Sequence, residues 1–340
     1  MSFLGLSDEL LLQIFNLRRS NTKDVWSIIL TCHRFYRVAL RDILYREINI
    51  NASILRDRKF LHAITIHPER ASSVREASFF WDGDDAKAWE LVFDIIPKLL
   101  LMNTLGLHVE GPTHSEGERR FQFSHYLDRL ANLQIRKLWI ANKDLTSEEI
   151  ARLSTILTIE HMRIYWFDGD LSDRRELVLS SKLSNIPPSN VVKLEFLSTE
   201  SPLTLSGPSI LGKFPCLQEL TWEYSEEDLG DFSPILFISP LLPIAATLAK
   251  LNLSVEFAHP TSCQLNLSQF TALKVLRLHE RLAFKFNLEN EWVWEGRTEQ
   301  EIEQDRLDLS ERLPATLEQL EVSSVPHDYC GVWPNKCWYG

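Results

Sequence analysis

Trp139, Arg163, Tyr165 and Trp166 are the side chains in this sequence with the most to offer a ligand. Tryptophan, tyrosine and arginine dominate interface hot spots, since each combines a large contact area with a polar handle. Their chemistry is recognition, and they form the candidate substrate anchor. Bond-making chemistry has no comparable cluster. The chain contains no H-E-x-x-H, no G-x-G-x-x-G, no P-loop and no G-x-S-x-G. Its ten histidines are scattered without ligand spacing, and twelve glycines leave few places for a phosphate-cradling loop. No catalytic residue, cofactor or metal is therefore expected, and the chain is read as a non-enzyme. Three acidic turns stand out: Trp81-Asp82-Gly83-Asp84-Asp85, Phe167-Asp168-Gly169-Asp170 and Glu226-Glu227-Asp228. They could rim a site for a Lys/Arg-rich ligand or hold a cation weakly through hard oxygens. Asp-Gly is also ordinary tight-turn chemistry, and the spacing is not that of an EF-hand, so the turn reading is preferred.

The elements that would position these side chains come from a repeat. An apolar L-x-x-L-x-L triplet occurs nine times, with middle positions Ile48, Ala77, Leu105, Leu138, Met162, Leu194, Leu220, Leu251 and Leu276. A tenth triplet, Leu317, Leu320 and Val322, follows after a longer gap. Successive middle positions are separated by 29, 28, 33, 24, 32, 26, 31, 25 and 44 residues. Such periods mark a solenoid, in which no unit has a core until neighbours stack on it. Side chains alternate along a strand, so the leucines point inward and the residues between them point out. The predicted fold is α/β, with a parallel sheet on the concave wall and longer connectors behind it.

Helices are predicted in connectors 86–101, 121–132 and 146–157, where apolar residues recur three or four apart. Pro97 should kink or restart the first of these. Thr146-Ser147-Glu148-Glu149 is an acceptable start for the third. The position where leucine-rich repeats often carry Asn holds Asp82, Glu110, Lys143, Phe167, Thr199, Ser225, Glu256 and Arg281 instead, so no Asn ladder forms. The 44-residue step contains an insertion at about 281–312, aromatic early and an acidic helix from Thr298 to Arg312. It is read as a substrate lid or a plain exposed helix. A terminal cap is expected at about 323–340, with a metal or disulfide at Cys330 and Cys337 as the lesser alternative.

Bulk properties narrow the setting. In 340 residues the hydrophobic fraction is 44%, normal for a folded protein, and no run approaches a membrane span. Charges interrupt the opening apolar stretch, so no signal peptide is expected. Five scattered cysteines without C-x-x-C spacing argue against a secreted disulfide framework and for the cytoplasm or nucleus. Residues 1–50 carry 7 Lys+Arg against 5 Asp+Glu, leaving 29 against 42 for the rest. An acidic solenoid repels nucleic acid and favours basic or neutral protein partners.

The first 46 residues form a different module of three short helices. Ser7 reads as an N-cap, Asp8 and Glu9 oppose the helix dipole, and Leu6 with Leu11 has the spacing of a hydrophobic staple. Leu10, Leu11, Ile14 and Phe15 continue the first helix; the second runs through Val25, Trp26 and Ile28–Leu30, and the third carries Phe35, Val38, Ala39 and Ile43. So small a bundle cannot bury all that apolar surface internally. The surplus is available to the adjoining solenoid or to a partner.

Leu6-Ser7-Asp8-Glu9-Leu10-Leu11-Leu12-Gln13-Ile14-Phe15, followed by Leu30-Thr31-Cys32-His33-Arg34-Phe35-Tyr36-Arg37-Val38-Ala39, resembles the F-box. The two halves stand at the family's usual distance, and the repeats follow directly. Ser7 replaces the usual proline, and His33 replaces a Lys or Arg. The resemblance implies an F-box over residues 1–46 and a leucine-rich-repeat solenoid over 47–340. It further implies docking on a Skp-type adaptor joined to a cullin–RING ubiquitin ligase, with a protein substrate captured by the repeats. Leu6, Leu10, Ile14, Phe15, Leu30, Cys32 and Phe35 would make the adaptor contact, or several of them would be internal core. The alternative is a repeat scaffold with no ubiquitin role, whose F-box-like cap only seals the solenoid end. In that case Leu10, Ile14 and Phe15 would pack inward.

Overall fold

The computed structural model describes residues 6–17, 27, 30, 32–39, 45–51, 59–82, 86–110, 126–130, 133–142, 145–155, 158–165, 185–199, 210–225, 238–256, 265–279, 282 and 298–323. The chain divides into two compact units, Met1–Asn142 and Lys143–Gly340.

The first unit begins with two described helices. The Leu10 amide donates to the Ser7 hydroxyl at 3.4 Å and the Leu11 amide to the Ser7 carbonyl at 3.1 Å, starting helix α1 (Asp8–Leu17). Ser7 thus caps the helix where the usual proline is missing. Cys32 starts helix α2 (His33–Ala39): its carbonyl accepts from the Tyr36 amide at 3.1 Å and its thiol from the Phe35 amide at 3.4 Å. Leu11, Phe35, Val38 and Ala39 form the shared core, with Leu6, Leu12 and Cys32 packed at its margin. Of the middle helix expected near 25–30, only Ser27 and Leu30 fall within the described residues.

The repeats follow as strands β1 (Glu47–Asn51), β2 (Glu76–Asp82), β3 (Thr104–Glu110) and β4 (Lys137–Ala141). They pair in parallel and in chain order, with Ile48, Ala77, Leu105 and Leu138 in one register row. Helices α3 (Lys59–Ile66), α4 (Pro68–Ala71), α5 (Ala86–Ile95) and α6 (Leu127–Leu130) lie in the connectors. Helix α5 ends just before Pro97, and Ile96–Lys98 continues as a 3-10 turn. Proline lacks the amide an α-helix needs and clashes with the carbonyl four residues back. Phe93 of α5 stacks on Tyr126 with ring centroids 4.3 Å apart. The helix expected at 121–132 is α6 within the described residues; 121–125 and 131–132 lie outside them.

The second unit carries α7 (Ser147–Ser154) and strands β5 (His161–Tyr165), β6 (Lys193–Thr199), β7 (Glu219–Ser225), β8 (Lys250–Glu256), β9 (Val275–His279) and β10 (Gln319–Ser323). These strands too pair in parallel in chain order. Register rows Met162–Leu194–Leu220–Leu251–Leu276–Leu320 and Ile164–Phe196–Trp222–Leu253–Leu278 run through the core. Every member of these rows is buried except Leu320, on the last strand, which is 40% exposed. Each fully buried side chain of this kind contributes roughly 1.5–3 kcal/mol, so stacking alone gives the unit its core.

Thr146 starts α7 with a reciprocal box: its hydroxyl accepts from the Glu149 amide at 3.2 Å, and the Glu149 carboxylate accepts from the Thr146 amide at 3.1 Å. The acidic segment of the insertion is helix α8 (Glu299–Glu311), boxed in the same way by Thr298 and Glu301. Arg312 ties its end to the preceding connector, where the Leu267 amide donates to the Arg312 carbonyl at 2.8 Å.

At the strand entrances, the end opposite the Asn-ladder position, the backbone links successive repeats. In each repeat one carbonyl accepts two consecutive amides from the next: Arg46 takes Arg75 and Glu76, and Arg75 takes Asn103 and Thr104. In the second unit Glu160, Val192, Gln218, Ala249 and Lys274 accept in the same way. Main-chain groups close each repeat onto the next, so the pattern tolerates almost any side chain there. Both units are therefore leucine-rich-repeat arrays with a parallel sheet, the α/β fold read from the triplets.

Candidate functional site

The candidate residues lie on the N-terminal helices and on the outward strand faces of each unit, taken separately.

On the N-terminal module the apolar residues separate by exposure. Leu11 is 0% and Phe35 6% exposed, whereas Leu10 is 46% and Leu30 77% exposed. Leu6 and Cys32 are half-buried against the core. The side chains of Ile14 and Phe15 lie outside the described residues. Arg34, a residue the motif reading passed over, fixes the start of α1. Its guanidinium donates to the Asp8 carboxylate at 2.6 and 3.0 Å and to the Leu6 carbonyl at 2.7 Å. This pair holds the Leu6–Leu10 turn against α2, and Leu10 emerges on the exposed side. Another side of the module meets the first repeat. There Arg70 Nη2 donates to the Tyr36 hydroxyl at 3.4 Å, and the guanidinium lies 5.7 Å from the Tyr45 ring centroid.

The expected aromatic/Arg anchor is distributed across the two units. In the first, half-buried Trp139 stands opposite Gly106 in the β3–β4 register. Gly106 is required by close approach: a Cβ there would sit 2.6 Å from Ser78 Oγ and 3.1 Å from Ser78 Cβ. Beside it Phe80 and His108 form an aromatic pair with centroids 5.2 Å apart. In the second unit Arg163 and Tyr165 are brought together on β5. Arg163 Nη1 donates to the Tyr165 hydroxyl at 3.2 Å, and the guanidinium lies 6.0 Å from the ring centroid. Trp166 lies outside the described residues, as do residues 83–85, 168–170 and 226–228 of the acidic turns, the early insertion and the terminal cap with Cys330 and Cys337.

What the sequence reading missed is the group that organises Arg163. Glu195 on β6 is 5% exposed and lies in register with Arg163. Arg163 Nε donates to Glu195 Oε2, Lys193 Nζ lies 2.7 Å from Oε1, and His161 Nε2 lies 3.2 Å from Oε2. Burial pushes the Glu195 carboxyl upward, but His161, Arg163 and Lys193 outweigh it and hold the group well below the ordinary carboxylate range. Burial likewise works against the Arg163 charge, and Glu195 and Tyr165 more than offset it, raising its pKa. The signal was present in the alternation: His161 and Arg163 share the outward face of β5, and Lys193 and Glu195 that of β6. Among the described residues no group of three or more His, Cys, Asp or Glu side chains is placed to hold a metal ion. No described helix is long and apolar enough to cross a membrane.

Comparison with known proteins adds one sequence match. The F-box-like family model matches residues 8–51, the stretch that holds α1, α2 and β1. Curated proteins gave no match. Among solved structures the chain is similar to the one titled "Crystal structure of TLR13-ssRNA13 complex", at 14% identity and a TM-score of 0.41. That similarity covers 78% of this chain and 32% of the other, so the chain spans about a third of that protein's length.

Proposed function

We propose that this chain is a non-catalytic substrate-recognition subunit of a Skp–cullin–F-box ubiquitin ligase. The F-box-like segment binds the Skp-type adaptor, which links it to the cullin scaffold. The repeats hold a protein substrate near chemistry performed by other subunits, and proximity is the whole mechanistic contribution. Its place of action is the cytoplasm or nucleus.

The observation that carries this reading is the exposure of Leu10 and Leu30 on a module whose other described apolar residues are buried or half-buried. A helix cap that only sealed the solenoid would turn such leucines inward. Side chains of this type left in water gain by being covered, and the F-box-like match over residues 8–51 supports an adaptor as the cover. Of the seven candidate contacts, Leu10 and Leu30 supply the accessible surface, Leu6 and Cys32 the margin, and Phe35 the core beneath it.

The test is co-purification with a Skp-type adaptor, comparing the wild-type chain with Leu10→Asp/Leu30→Asp. Adaptor retained by the wild type and lost by a folded variant is the expected result. A folded wild-type chain that captures no adaptor would reduce the protein to a repeat scaffold with other partners.

A further inference from the structure

We infer that adaptor docking extends beyond the N-terminal helices onto the turn that enters β3, where Leu100 and Leu101 form a second apolar contact for the Skp-type adaptor. The inference deepens the adaptor-binding reading and rests on it.

Strand entrances close through a recurrent turn, in which the amide of the first inward residue donates to the carbonyl three positions back. It joins Val74 to Ala71, Met102 to Leu99, Leu217 to Phe214, Leu273 to Phe270 and Leu317 to Pro314 at 3.0–3.3 Å. The two residues inside it are Ser72-Ser73, Pro215-Cys216, Thr271-Ala272 and Ala315-Thr316, against Leu100-Leu101 before β3. The turn itself therefore makes no demand for leucine, yet Leu100 is 75% and Leu101 53% exposed. The flanking Leu99 and Met102 already supply the core contact, at 2% and 3% exposure. Two adjacent leucines held in water, where small or polar residues close the same turn, point to a covering partner.

Their place in the first unit selects the partner. Arg70, whose Nη2 donates to the Tyr36 hydroxyl of α2, immediately precedes the Ala71–Val74 turn. The Asn103 amide donates to the Arg75 carbonyl at 2.8 Å, and Glu76 stands opposite Thr104. Continued backward, that register sets the Leu99–Met102 turn one rung beyond Ala71–Val74, about 4.8 Å away. The edge that meets the N-terminal module is thus continuous with the edge that carries Leu100 and Leu101. Stable interfaces cover roughly 800 Å² per partner, a patch about 30 Å wide, so an adaptor seated on Leu10 and Leu30 extends along this edge. Of the eight large apolar side chains exposed among the described residues, Leu10, Leu30, Ile66, Leu100 and Leu101 lie in this unit.

The experiment titrates purified Skp-type adaptor calorimetrically into the full chain and into Leu100→Ser/Leu101→Ser, which transplants the Ser72-Ser73 pair of the preceding turn. The variant is expected to melt with the wild type and to bind adaptor at least about tenfold more weakly. Affinity within about threefold of wild type overturns the inference. Hydrogen exchange on the wild type provides an arm that no variant's folding affects. Adaptor should slow exchange over residues 99–103 as well as 8–17, and protection confined to 8–17 overturns the inference. Light scattering of the free proteins tests a second copy as the occupant: a wild-type dimer that the serine variant dissolves overturns it too. A wild-type chain that binds no adaptor sinks the ligase reading and this inference together, whereas equal adaptor binding by the variant sinks this one alone.

Discussion

Truncating Leu10 and Leu30 together separates a docking surface from a packing surface, and the structure sets the size of the effect. Fully burying a leucine is worth roughly 1.5–3 kcal/mol relative to leaving it in water. Covering the exposed 46% of Leu10 and 77% of Leu30 would then contribute about 2–4 kcal/mol to adaptor binding. Alanine keeps the β-carbon, so Leu10→Ala/Leu30→Ala should weaken the adaptor complex about 10- to 100-fold, at 1.4 kcal/mol per factor of ten. Thermal stability of the double variant should stay close to wild type, because neither side chain is buried. Leu11→Ala is the control with the opposite signature. Leu11 is 0% exposed, and its truncation should cost about 2–5 kcal/mol of the module's stability. Isothermal titration with purified adaptor and a thermal melt of each variant read both quantities. If the double variant binds within about threefold of wild type, the exposed leucines are not the docking surface. If instead it melts far below wild type, they are packing residues and the exposure argument fails.

Four further predictions follow from the outward faces of the strands and the insertion. The Glu195 carboxyl is held below its ordinary value of 4.5, so its contribution to stability is complete above that value and lost as pH falls below it. Urea midpoints taken on both sides of it should show this loss in wild type and a flatter dependence in Glu195→Gln; equal dependence would remove the carboxylate from the account. Arg163→Met should cost about 2–3 kcal/mol in the same assay, less than the 3–5 of a fully orphaned buried charge because Lys193 and His161 remain. Gly106→Ala should cost about 1–3 kcal/mol, since the new Cβ would meet Ser78 Oγ at 2.6 Å; adding Ser78→Gly should restore most of it, as chemical denaturation of the pair would show. Thr298→Ala removes half of the α8 capping box and should lower local stability by about 1 kcal/mol, seen as faster amide exchange over residues 299–303.

The parts of the fold that could be read in advance are those set by a periodic signal. The leucine triplets placed the strands because inward alternation leaves a pattern that repeats every rung, as with Phe79, Leu107 and Ile140 in one row. Pro97 and Thr146 marked helix boundaries because their effects are local, acting through a missing amide and a side-chain cap. Exposure in the N-terminal module was not legible. Leu10 and Leu11 are neighbours of identical type, and only the packing of α1 on α2 sends one into the core and the other outward. Arg34 was hidden for a related reason: its partners Asp8 and the Leu6 carbonyl lie more than twenty residues away in sequence. Glu195 was one outward residue among many until strand pairing set it beside Arg163. Residues that act through cross-strand neighbours require the register, and irregular connector lengths conceal the register in the sequence.

That difference between pattern and register also decides how the charge of the chain should be used. Residues 51–340 hold 29 basic and 42 acidic side chains, and the sum favours basic partners. A summed charge governs approach at distances beyond the contact zone, and salt screens it over about 8 Å under physiological conditions. Strands in a sheet lie only about 4.8 Å apart, so a ligand seated on β5 and β6 interacts most strongly with side chains one or two rungs away. There the described charged groups are Lys193, Arg163 and His161 around a buried Glu195, with Glu219 and Glu223 on the next strand. The carboxylate that lowers the net charge of the chain is the same group that gathers Arg163, Lys193 and His161, so it fixes where those side chains stand. An acidic repeat array and a cluster of basic side chains on it are compatible, because the first is a property of the whole composition and the second depends on which side chains the register places together.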